Sequence, residues 1–184
     1  MASKNRGIHT FSVQEATNAA LGRVIKIQPT MTADDNADND VAFDWTAVTG
    51  VSTEKGVATM LQSVAILDAD DSAAPIELVF CIGSDADGTA PTAAQGLIGG
   101  ATAGSDAVDI TAAEMQAVQI CGNVDMSLNE GDLILGYITS KTNIGLVLQP
   151  ASNSNTIYVG GIWRGDPAST GATGTLDVYL GFED

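Results

Sequence analysis

Basic residues are scarce. Seven lysines and arginines stand against 23 aspartates and glutamates, for a formal net charge of −16. A surface so acidic repels phosphate backbones and anionic lipid, which argues against nucleic-acid and membrane-surface binding. Histidine is scarcer still: His9 is the only one. A Ser-His-Asp or Cys-His device would have to recruit it from beside the N-terminus. With one histidine, two cysteines and no CxxC pair, a zinc site is not expected. Aromatic residues make up 5%, too few for a sugar-stacking platform or for basic-aromatic interleaving along a single strand of nucleic acid. No window approaches the roughly 20 apolar residues of a membrane-spanning helix. MASKNRGIHT has no apolar core of a secretory signal, so a soluble protein made in the cytosol is expected.

What is present is β-structure. In 175–182, Leu176, Val178, Leu180 and Phe182 alternate with Thr175, Asp177, Tyr179 and Gly181. In 143–149, Ile144, Leu146 and Leu148 recur every second residue. In 156–163, Ile157, Val159, Gly161 and Trp163 do the same. A period of two places alternate side chains on opposite faces of a sheet. The polar run 151–155 between the last two reads as a hairpin turn. Segments 56–68 and 75–82, joined by Asp68–Ser72, read as a second hairpin. Further strands are expected over 8–13, 23–29, 117–126 and 133–139. Residues 30–44 read as a loop, with Trp45 directly after it. Thr111-Ala112-Ala113-Glu114 matches a capping box, so a short helical segment is expected over 111–116.

Turns every 8–20 residues and about eight to ten strands with no helix-strand alternation give an all-β fold. The architecture expected is an antiparallel β-sandwich, jelly-roll-like, with one short helical segment. A chain of 184 residues suits one such domain, 8–184, behind an extended N-terminal arm, 1–7.

Candidate chemistry is thin. Asp34, Asp35, Asp38, Asp40 and Asp44 crowd one loop. They read as a solvated acidic loop, with a calcium site as the alternative; the fixed EF-hand spacing is absent. Ser84–Gly88 is a weaker case of the same kind. GLIGGATAG, 96–104, lacks the strand and helix of a dinucleotide loop. Arg164-Gly165-Asp166 reads as a chance triplet. Carboxylate pairs for glycoside hydrolysis stay open on numbers alone, but almost all acids sit in polar turns, where nothing raises a pKa. Cys81 and Cys121 lie in apolar runs and read as buried free thiols. No enzyme activity, cofactor or metal is expected. The residues marked for partner contact are Lys4, Arg6 and His9 near the arm, and Trp45, a residue type enriched at interfaces.

Several features then occur in a fixed order: LDADD followed by PIELVFCIGS; Ile110–Glu114 followed by VQICGNV; and NIGLVLQPASNSNTIYVGGIWRGDPASTGATGTLDVYLGFED. Over residues 56–184 this resembles small β-sandwich virion proteins of tailed bacteriophages, notably marine and cyanobacterial ones. The resemblance implies a head decoration (cement) protein, bound outside the major capsid protein shell, as a homo-oligomer with a trimer favoured. Tail, baseplate and fibre components share the shape and stand as the alternative. A carbohydrate-binding jelly-roll module is the third reading.

Overall fold

A computed structural model describes residues 22–31, 40–68, 75–91, 116–126, 131–132, 137–165 and 176–183. Nine strands run through them: β1 Arg23–Ile27, β2 Val41–Thr49, β3 Thr59–Asp68, β4 Ile76–Cys81, β5 Ile120–Met126, β6 Gly131–Asp132, β7 Tyr137–Leu148, β8 Thr156–Trp163 and β9 Leu176–Glu183. They form two antiparallel sheets, ordered β1-β9-β3-β7-β6 and β2-β8-β4-β5.

The pairings are nested. β1 pairs β9, β2 pairs β8, β3 pairs β7 and β4 pairs β5. That is the pattern of one long hairpin with its tip between β4 and β5. Folding the hairpin over joins β9 to β3 in one sheet and β8 to β4 in the other. Set aside the two-residue β6, and four strands remain in each sheet, in the order of an eight-stranded jelly roll. The all-β sandwich expected from the sequence is therefore the architecture found.

Alternate residues supply the core between the sheets. Leu176, Val178, Leu180 and Phe182 of β9 are buried, as are Ile157, Val159 and Trp163 of β8 and Leu148 of β7. They meet Leu61, Val64 and Ile66 of β3 and Ile76, Leu78 and Phe80 of β4 in a single cluster. Burying each large apolar side chain contributes about 1.5–3 kcal/mol, which is what holds the two layers together. Trp163 belongs to this core, at 3% exposure, and its indole N–H has no hydrogen-bond partner among the described residues.

Both expected hairpins are corrected. β7 and β8 lie in different sheets, and so do β3 and β4. The segment after β7 does not close a ladder on itself. Its backbone bonds to the segment after β2, which also crosses between sheets: Gly50 and Val51 N–H donate to the Asn155 carbonyl (2.9 and 3.1 Å), and Gly56 N–H donates to that of Ser154 (2.8 Å). Gly56 has φ of 69°, and a β-carbon there would come within 2.8 Å of the Ser152 backbone, so the two crossings approach at a site only glycine fits.

The expected loop over 30–44 is also corrected at its end, since Val41–Asp44 begins β2 and Trp45 lies within that strand. The register explains why alternation hid it. It shifts between Val41 and Phe43 and again between Phe43 and Thr46. Asp44 and Trp45 together stand opposite the single residue Gly160, a β-bulge that breaks the period of two. The strand expected over 8–13, residues 133–136 of the strand expected over 133–139, and 111–115 of the helical segment lie outside the described residues. Among the described residues, no helix is long and apolar enough to cross a membrane.

Candidate contact face

The two sheets differ in what they show to the outside. On the four-stranded sheet, Val41, Val79, Cys81 and Ile162 point away from the core cluster yet are buried (0%, 3%, 0% and 3% exposed). Beside them Glu77 is held by Arg164, whose Nε donates at 2.7 Å and whose Nη2 also donates, and by Asn123 Nδ2 at 2.5 Å. Burial pushes the Glu77 carboxyl up, but the hydrogen bonds from Arg164 and Asn123 outweigh it and hold it below its ordinary value. Over β2, β8 and β4 this outer face is closed; its margin at β5 shows Ile120 and Asp125.

The five-stranded sheet is open. Its outward residues follow from the register. Met60 stands between Val147 and Glu183. Ser63 stands between Thr142 and Gly181, with Val24 beyond the glycine. Ala65 lies between Ser140 and Tyr179, with Lys26 beyond, and Leu67 lies between Ile138 and Asp177. Six large hydrophobic side chains are exposed among the described residues, and four of them are on this face: Val24 (68%), Val147 (57%), Ile138 (40%) and Met60 (36%). Small and hydroxyl side chains fill the space between them and keep the surface low.

Charge on this face is sparse and compensated. Lys26 Nζ is 2.7 Å from Asp177 Oδ2 and lies 5.6 Å from the Tyr179 ring centroid. Gln28 Nε2 donates to the other Asp177 oxygen at 2.7 Å. The bond from Lys26 is the chief cause that lowers the Asp177 pKa, and the same bond raises that of Lys26. Glu183, at the opposite end of β9, accepts from Gln62 Nε2 at 2.8 Å. A surface ion pair of this kind contributes little to stability. Its consequence is that no outward charge here lacks a partner.

Lys4, Arg6 and His9 lie outside the described residues. Trp45 itself is half-buried in β2, on the other sheet from the open face, and its backbone N–H donates to Asp44 Oδ1 at 2.6 Å. Of the acidic loop, Asp40 is 8% exposed and Asp44 is in β2, while 34–39 lie outside the described residues. Among the described residues, no group of three or more His, Cys, Asp or Glu is placed to hold a metal ion. The Ser84–Gly88 turn is closed by its own bonds. Asp85 accepts from the N–H groups of Asp87 (3.1 Å) and Thr89 (3.0 Å) and from the Thr89 hydroxyl (2.7 Å).

The two thiols are free. Phe80 pairs Gly122 and Cys81 pairs Ile120, which leaves Cys121 as the extra residue of a bulge. Cys121 packs against the core while Cys81 points outward from β4, so the two leave their strands on opposite faces. Burial first, then the nearby Cys121, pushes the Cys81 thiol up to about 12, and burial pushes Cys121 up to about 11. The thiolate is the reactive form. Native protein at pH 8 should therefore react slowly with an aromatic disulfide reagent, and unfolding in guanidinium should release two thiols per chain. Rapid stoichiometric labelling of the native protein would contradict this assignment.

No family model matches the chain, and no curated protein matches it.

Proposed function

We propose that this protein is a virion structural subunit of a tailed bacteriophage, a capsid decoration (cement) protein that docks on the outside of the head and stabilises the shell. The observation that carries the reading is the open face of the five-stranded sheet. Four exposed hydrophobic side chains share it on a molecule of formal net charge −16. Interface centres are depleted of charge and enriched in apolar contact, and a strongly acidic exterior elsewhere keeps the free subunit soluble. A jelly roll supports the reading without specifying it, because such sandwiches serve in capsids and lectins alike.

In this reading the major capsid protein is the partner and the subunit sits on the head exterior. Docking across a boundary between capsid subunits couples shell rupture to re-exposure of apolar area, at about 25 cal/mol per Å² before the costs of ordering and association. Purified protein added to undecorated heads should co-sediment with them and raise their disruption temperature. Absence of binding and of any shift overturns the proposal. Labelling confined to tails in electron micrographs of intact particles would move the subunit to a tail or baseplate position.

A further inference from the structure

Resting on that reading, we infer that the outer face of the five-stranded sheet docks on an uncharged, apolar protein surface of the shell, and that its occupant is neither a basic surface nor a second copy of this chain. Charge complementarity carries the choice. The described outward charges are Lys26, Asp177 and Glu183. Lys26 and Gln28 hold Asp177, and Gln62 holds Glu183. A basic partner would find Asp177 already paired with Lys26 and only Glu183, held by the neutral Gln62, left to attract it, which is little return for the water its own cations would lose.

A second copy is excluded by the opposite argument. Stacked sheets lie about 10 Å apart, close to the roughly 8 Å screening length of physiological salt. Two chains of formal net charge −16 would meet at that spacing, and the one described positive charge on the face, Lys26, is already paired with Asp177. An uncharged partner meets neither difficulty, and Val24, Met60, Ile138 and Val147 supply what it needs.

The size of the face points the same way. Four strands at about 4.8 Å spacing and roughly eight residues at about 3.3 Å give a footprint of about 500 Å². Stable interfaces bury about 800 Å² per partner, so even the whole face falls short and a single peptide strand falls further; the partner must cover all of it with a broad surface that reaches beyond its rim.

The test places each sign of charge at one position. Val147→Glu and Val147→Lys are made in the full chain, and binding to undecorated heads is measured by co-sedimentation between about 50 and 500 mM NaCl. Val147 is 57% exposed, and thermal unfolding of both variants checks that the fold is intact. Both substitutions should weaken binding by at least about tenfold and by similar factors, as expected for a desolvated contact. Wild-type binding should change less than about threefold over the salt range, because little counterion-dependent attraction is involved. Tightening by one sign and weakening by the other, or binding that collapses as salt is raised, overturns the inference and leaves the decoration reading standing. A wild-type dimer in sedimentation that both variants dissociate overturns it in favour of self-association. Wild-type protein that binds heads at no salt concentration overturns both.

Discussion

Gly161→Ala should destabilise the protein by about 2–3 kcal/mol although it adds one methyl group to a strand. The backbone is not the obstacle, since Gly161 is not among the residues with positive φ. The obstacle is Phe43. A β-carbon on Gly161 would lie 2.3 Å from Phe43 Cε1, 2.6 Å from Cδ1 and 2.9 Å from Cζ. Carbon atoms in good contact sit about 3.5–4.0 Å apart. The ring has nowhere to go: Phe43 is 0% exposed and belongs to the core cluster, with β2 fixed above it by bulges on either side.

For a chain of this size the loss corresponds to a fall of about 4–12 °C in Tm. The second half of the test is rescue. Phe43→Leu alone creates a void, but in the Gly161→Ala background the smaller side chain accepts the new methyl. The double variant should therefore be more stable than the sum of the single losses by at least about 1 kcal/mol, as contacting residues in a double-mutant cycle behave. Strict additivity, measured by urea unfolding, would mean that Phe43 and Gly161 are not in contact.

The same pair marks where the sequence was legible and where it was not. β8 and β9 could be read directly, because their inward residues recur at every second position, although β8 buries Ile162 on its other face as well. Trp163 and Phe182 fall on the inward side that the period of two gives them. β2 could not. Val41, Ala42 and Phe43 are buried in succession, and Asp44 and Trp45 double up opposite Gly160. A bulged strand with polar residues in it looks like loop. Partners were harder than strands. Alternation says that a segment has two faces, not which neighbour lies beside it, and a jelly roll sends β3 and β4, or β7 and β8, to different sheets.

The contact face fails to show for the same reason. The outward placement of Val24 and Val147 follows from alternation strand by strand, opposite Ile25 and Leu146. That β1, β9, β3 and β7 lie side by side, and so gather these residues into one patch, is a fact of topology. The compensation of Asp177 by Lys26 and Gln28 is equally non-local, joining residues about 150 positions apart.

Phe182→Ala should cost about 3–5 kcal/mol, the range for emptying a buried phenylalanine site. Phe182 is 1% exposed and lies in β9, which runs between β1 and β3. It pairs Arg23 on one side and Leu61 on the other. The position makes the loss uneven. β1 is five residues long and, among the described strands, pairs β9 alone at the end of the sheet order, so its order depends on β9. β3 keeps β7 as a second partner. Native-state hydrogen exchange should therefore show Arg23–Ile27 losing more protection than Thr59–Asp68, because local opening follows the density of remaining contacts. Urea unfolding should shift its midpoint with the slope unchanged. Equal loss of protection in β1 and β3 would mean that the sheet opens as one unit, and the contact face on it would then be a single rigid surface rather than one with a looser margin at Val24.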